Sequence, residues 1–182
     1  MTEARPVSDA EFFDVLHDFE YTAFRLELQD SYAEPREDEL YAAYLRGEHI
    51  DPTAVPELAE WFARIAEHVH GHGKRVGRVR VQRDPATDYQ RFERSLDRWN
   101  IEAGETMRYM TVVKARGVGL LPAAGNDDWW LLDSSRLLVM RFDGGRRLSN
   151  ELISDPSRVL QACKWRDLAV HHSTRATSGV AA

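Results

Sequence analysis

Residues 78–113 read RVRVQRDPATDYQRFERSLDRWNIEAGETMRYMTVV, and this stretch decides the fold. Arg78-Val79-Arg80-Val81 alternates with a period of two, which predicts a strand with Val79 and Val81 turned to the core and Arg78 and Arg80 on the other face. Asp84-Pro85 ends that strand. Tyr89, Phe92, Leu96 and Trp99 then fall on one face of a helix over 88–102, closed by Gly104. Met107 to Val113 is strand-like again. A strand, a helix and a strand within roughly 40 residues have the spacing of a βαβ unit, whose right-handed crossover sets the two strands parallel.

Upstream, Ser8 and Glu11 form a capping-box pair, and Phe12, Val15, Leu16 and Phe19 recur three and four apart, predicting a helix over 9–20. Phe24-Arg25-Leu26-Glu27-Leu28 alternates and predicts a short strand with one buried face. Pro35 and Gly47 bracket a second helix, and Leu58, Trp61, Phe62, Ile65 and Val69 mark an amphipathic third between Pro56 and Gly71. Downstream, Trp129–Leu132 and Leu137–Phe142, joined by Asp133-Ser134-Ser135-Arg136, make a hairpin whose second strand ends in the turn Asp143-Gly144-Gly145. Leu137 to Met140 is apolar at every position, as in a central strand covered on both sides. Asp155-Pro156 caps a last helix to about residue 170. The expectation is therefore an α+β fold with a mixed sheet: one globular domain over 1–171 and a disordered tail over 172–182.

The 182 residues are 43% hydrophobic, enough apolar surface for one folded core. No apolar run reaches the roughly 18 to 20 residues that cross a bilayer, and Met1 to Ser8 lacks the basic and apolar regions of a signal peptide. A single cysteine, Cys163, suits a reducing compartment and permits no internal disulfide. A cytoplasmic location follows as the expectation. The net charge of −6 is uneven: −12 over residues 1–60, +5 over 61–120 and +1 over 121–182. Acidity overall, with a pI near 5.6, argues against sequence-independent duplex binding.

Several chemistries can be weighed and set aside. His68, His70 and His72 suggest metal ligands, but on a helix only His68 and His72 share a face, and no His-Glu-x-x-His pattern accompanies them; no metal is expected. Ser134 and Ser135 sit in a hairpin turn, without a nucleophile-elbow pattern. Gly71-x-Gly73 and Gly117-x-Gly119 lack the context of a phosphate loop, so no nucleotide cofactor is expected. What stands out is a basic and aromatic set. Lys74, Arg75, Arg78, Arg80 and Arg83 lie close together, followed by Arg91, Arg94, Arg98 and Arg108. Either carboxylates such as Glu27, Glu105 or Asp128 neutralise these guanidiniums inside the fold, or the cluster forms an anion pocket. Trp129 and Trp130 point to opposite faces of their strand, so one of them can line a groove.

Taken together, Phe24-Arg25-Leu26-Glu27 with Tyr32, Arg78-Val79-Arg80-Val81 with Tyr89, Ala103-Gly104-Glu105 with Arg108-Tyr109, and Asp128 through Asp133 resemble a widespread actinobacterial domain family of unknown function over residues 10–170. Its members are often encoded beside helix-turn-helix regulators. The element order also resembles half of a phospholipase D-like domain. The catalytic version needs His-x-Lys and, after four intervening residues, an Asp, normally in two facing copies. His72-Gly73-Lys74 is present, but Val79 stands where the Asp belongs; the strand ahead of Asp133 begins Asn126-Asp127-Asp128 and holds no histidine.

These resemblances imply a non-enzymatic regulatory module that works with a helix-turn-helix partner, without direct DNA or membrane binding, and that takes a small anionic ligand. Arg78, Arg80, Arg108, Trp129 and Asp133 are the expected ligand-binding residues, with no catalytic residue. The rival expectation is a hydrolase on phosphate esters or nucleotides, using the arginines for charge stabilisation and Asp128 or Asp133 as base. A third is a nucleic-acid binder using the basic strand and an exposed tryptophan.

Overall fold

The computed structural model describes residues 4–177. Its centre is one eight-stranded mixed sheet in the order β1-β7-β6-β5-β2-β3-β4-β8. In chain order the strands are β1 (Ala4–Val7), β2 (Thr22–Glu27), β3 (Arg75–Gln82), β4 (Thr106–Thr111), β5 (Asp128–Leu132), β6 (Arg136–Asp143), β7 (Arg146–Ile153) and β8 (Thr174–Arg175). The helices are α1 (Asp9–His17), α2 (Asp38–Leu45), α3 (Pro56–Ala66), α4 (Asp88–Ser95), α5 (Asp97–Glu102), α6 (Val112–Gly117) and α7 (Pro156–His172). The fold is α+β, as expected, and β3 and β4 are adjacent and parallel, as the βαβ spacing requires. β2 joins β3 in parallel on its other side, while β5 runs antiparallel to β2.

Two apolar layers sandwich this sheet. On one face Leu26, Val79, Val81, Trp129, Leu137 and Val139 pack against Val159, Ala162 and Ala169 of α7. On the other, Trp130, Leu132, Leu138 and Met140 meet Phe12 and Leu16 of α1 and Ile65 of α3. β6 thus feeds both layers with alternate residues, which is why Leu137–Met140 is apolar at every position. A third, smaller cluster joins Tyr89, Phe92 and Leu96 to α2.

The structure departs from the sequence reading in several places. The 88–102 helix is two helices, broken at Leu96. The third helix ends in a π-helical turn over Glu67–Gly71. Val112 and Val113 open α6 instead of prolonging β4, because the Thr111 side chain caps that helix through the Lys114 N–H. The hairpin is extended by β7, which pairs with β6 through a bulge at Arg141/Phe142, and β1 adds the outer edge. Of the tail expected over 172–182, residues up to 177 are ordered: α7 reaches His172 and β8 pairs with β4. The rest lies outside the described residues. Among the described residues no helix is long and apolar enough to cross a membrane.

Candidate ligand cleft

Register fixes which side chains meet. Arg25 lies beside Arg78 across β2 and β3, and Glu27 beside Arg80, so all four project from the same face. Trp130 pairs with Arg25 across β2 and β5 and joins them. Of the two arrangements open from sequence, neutralisation inside the fold is the one present: this face is roofed by α1, α3, α4 and the segment after β2, and the charges are buried.

Buried charges survive only when paired and hydrogen-bonded. Glu27, 4% exposed, is the hub. It accepts from Arg78 Nη1 at 2.9 Å and Arg80 Nε at 2.6 Å, and forms an ion pair with Arg25 at 3.1 Å. Arg78 turns its other edge to Glu105 in a two-point contact of 2.6 and 3.1 Å. Arg80 also donates to Asp97 at 2.9 Å and to the Tyr109 hydroxyl at 3.2 Å. Arg25 donates to Asp128 at 3.0 Å. Asp128 is completely buried and accepts in addition from the Leu28 N–H, Gln29 and the Tyr32 hydroxyl.

Three guanidiniums therefore face five carboxyl groups, those of Glu27, Glu93, Asp97, Glu105 and Asp128. Burial alone would push the Glu27 carboxyl up, but Arg25, Arg78 and Arg80 hold it well below the usual range. Glu93 is treated differently. Burial, with Glu27 and Glu37 nearby, pushes its carboxyl up to about 8 against the pull of Arg80. Burial likewise raises Asp97, Asp128 and Glu37. Glu93 is the least well held: 7% exposed, it has an ion pair to Arg80 Nη2 at 3.6 Å and no hydrogen bond to its carboxyl among the described residues.

Above this floor lies a cleft of about 380 Å³, within the roughly 300–1,000 Å³ typical of small-molecule sites. Its walls are aromatic, with Phe13, Tyr32, Trp61, Tyr89, Trp130 and Phe142 on the lining. Arg36, Arg64 and Arg147 stand around it with Glu34, Glu57 and Glu60. Arg36 pairs with Glu34, and Arg147 lies over the Phe12 ring. Of the described lining residues one is histidine, His17, and none is lysine, cysteine, serine or threonine. His17 contacts His68 ring to ring at 3.2 Å; burial first, then His68, drives the His17 imidazole down to about 4, so it is neutral at pH 7.

Of the five residues expected to bind ligand, Arg78 and Arg80 come together at this floor, although both are committed to carboxylates. The other three lie elsewhere. Arg108 pairs with Val79, is therefore on the α7 face, and bonds to Ser173. Trp129 pairs with Leu26 and packs against Trp165 in the same layer; the cleft takes Trp130 instead. Asp133 is a turn residue at φ +52°, whose carboxylate accepts from the N–H groups of Glu20, Tyr21 and Thr22. Neither Asp128 nor Asp133 lines the cleft, so neither is placed to act as a base there. The three histidines diverge: His68 goes to His17, His70 to the Glu102 carbonyl, and His72 towards Glu67. Among the described residues no three His, Cys, Asp or Glu side chains are grouped to hold a metal.

Sequence reasoning missed Arg25, Trp61, Trp130, Glu37, Glu93 and Asp97. The alternation in β2 and β3 carried part of the signal. It puts Arg25 and Glu27 on one face and Arg78 and Arg80 on one face, but only the parallel pairing of the two strands merges these faces.

A family model described as a domain of unknown function, DUF6879, matches residues 10–178. No curated protein matches the chain. Among solved structures it is similar to the phospholipase D family member Nuc from Salmonella typhimurium, with a TM-score of 0.55 and 10% identity, covering 97% of each chain. It is also similar to NucT from Helicobacter pylori, with a TM-score of 0.51 and 9% identity, covering 96% of this chain and 98% of that one. At such identities the likeness is one of fold.

Proposed function

The chain belongs to the DUF6879 family, and we propose that it is a non-catalytic binding module on a phospholipase D-like scaffold, whose cleft takes a small molecule and whose output passes to a protein partner. The carrying observation is the state of the cleft floor. Its guanidiniums are neutralised from within the fold, and the lining offers one neutral histidine where phosphodiester chemistry of the phospholipase D kind needs two with a lysine. Aromatic walls and a largely preformed volume are the usual attributes of a ligand site. A ligand that depends on free guanidiniums, as the anion expected from sequence would, finds few here. The partner proposed is a helix-turn-helix regulator, on the strength of the family resemblance, with the regulator and not this acidic chain contacting DNA.

A thermal-shift screen of small molecules tests the cleft. A ligand should raise the melting temperature of the wild-type chain by mass action and lose that effect in Trp61→Ala. Turnover of a generic phosphodiester that is abolished by Glu93→Gln in a folded protein would overturn the non-catalytic reading. Co-expression with adjacent helix-turn-helix regulators should yield a stable complex; failure of every pairing counts against the partner.

A further inference from the structure

We propose that the deep end of the cleft receives the cationic, hydrogen-bond-donating head of a small organic molecule, a protonated amine or amidine, on the carboxylates of Glu93 and Glu37, with its body along the aromatic wall. This rests on the cleft being a ligand site and names the class of ligand. Three observations carry it. Glu93 lines the cleft with its side chain 10% exposed, and apart from the ion pair to Arg80 at 3.6 Å its carboxyl takes no hydrogen bond among the described residues, so it is open to a donor from the cleft. Even with Glu93 protonated the floor sets four carboxylates, Glu27, Asp97, Glu105 and Asp128, against the guanidiniums of Arg25, Arg78 and Arg80, so a bound anion would add to the surplus charge and a bound cation would cancel it. The wall accepts cations already: Arg25 lies over the Tyr32 and Trp130 rings at 5.5 and 5.7 Å, and Arg78 over Trp61 at 5.9 Å.

The neighbours of Glu93 explain how such a site would respond to pH. Arg80 from β3 and Arg25 from β2 favour its charged form, while Glu27 from β2 and Glu37, just ahead of α2, oppose it. Glu37 in turn accepts from the Tyr89 hydroxyl of α4 at 2.5 Å. A cation arriving at Glu93 favours the ionised carboxylate, so binding expels a proton.

Isothermal titration of the full chain with benzamidine, benzamide and benzoate at pH 6 and pH 9 tests the proposal. Benzamidine should bind at least about tenfold more tightly than neutral benzamide, a gap of roughly 1.4 kcal/mol. Its affinity should rise towards pH 9, and its binding enthalpy should depend on the buffer as protons are released. Glu93→Gln, which keeps the shape of a side chain that is already protonated, should remove both the preference and the pH dependence; Glu37→Gln should weaken the preference. Equal binding of benzamidine and benzamide, or a preference for benzoate, overturns the cationic ligand and leaves the cleft as a ligand site. Failure of all three probes to bind overturns this proposal, and only if the wider thermal-shift screen is also silent does the cleft reading fail with it.

Discussion

Arg80 shows how the floor works at the scale of one residue. It touches Glu27, Asp97, Glu93 and Tyr109 at once, so truncating it strands carboxylates in a dry environment. Breaking one side of a buried ion network costs about 3–5 kcal/mol, and we expect a loss of that order for Arg80→Ala in urea denaturation. Arg108→Ala, on the opposite face with Ser173 as its side-chain partner among the described residues, should cost no more than about 1.5 kcal/mol. Similar losses for the two would mean the floor is not a coupled network. Glu93 gives a pH signature. In the folded protein it keeps its proton up to about pH 8, whereas in the unfolded chain the carboxyl titrates near 4.5. Folding therefore takes up a proton between those values, and the stability linked to Glu93 is full below about pH 4.5 and falls as pH rises towards 8. Glutamine escapes that loss. Glu93→Gln should match the wild type at pH 5 and exceed it by on the order of 1–3 kcal/mol at pH 9. A variant less stable than wild type at pH 9 would contradict the assignment.

Among the elements, the segment between β2 and α2 depends on the β6–β7 turn beneath it. Ala33 donates its N–H to the Gly145 carbonyl at 2.9 Å, and the same segment brings the Tyr32 hydroxyl to Asp128. Gly145 has φ +81°, and a Cβ there would come within 2.6 Å of the Ser31 carbonyl oxygen, which is backbone and cannot swing away. Gly144, at φ +54°, has nothing within 4 Å of such an atom. Gly144→Ala should thus cost only the left-handed penalty of about 1 kcal/mol, and Gly145→Ala about 1–2 kcal/mol more, with faster proteolysis of residues 29–36. Equal effects would show that the segment does not rest on this turn. Elements with strong local signals were legible from sequence: the Ser8 capping box, the α3 stripe, the β3 alternation and the apolar Leu137–Met140 run of β6. β7 was not, because Arg146-Arg147-Leu148-Ser149-Asn150 carries no clean alternation, and its strand form comes from pairing with β6 and β1.

For the whole molecule, the sheet does what no single strand can: it turns two half-charged strands inward against each other and covers them with helices. The fold class and the Arg78–Arg80 pair could be read from residue order, and so could the possibility that Glu27, Glu105 and Asp128 neutralise the arginines. The cleft could not. Its aromatic wall draws on α1, α3, α4, β5, β6 and the segment after β2, and choosing Trp130 over Trp129 needs the β2–β5 register, a long-range pairing with no local trace. The acidic first 60 residues supply Glu27 and Glu37 to the cleft. The arginines of the cleft floor thus belong to the fold and are not waiting for an anion, and NMR of the side-chain guanidinium Nε–H signals during titration with inorganic phosphate tests this most directly. We expect the Arg78 and Arg80 signals to stay in place through tens of millimolar phosphate, because both Nε–H groups already donate to carboxylates. A saturable shift of either signal would contradict it.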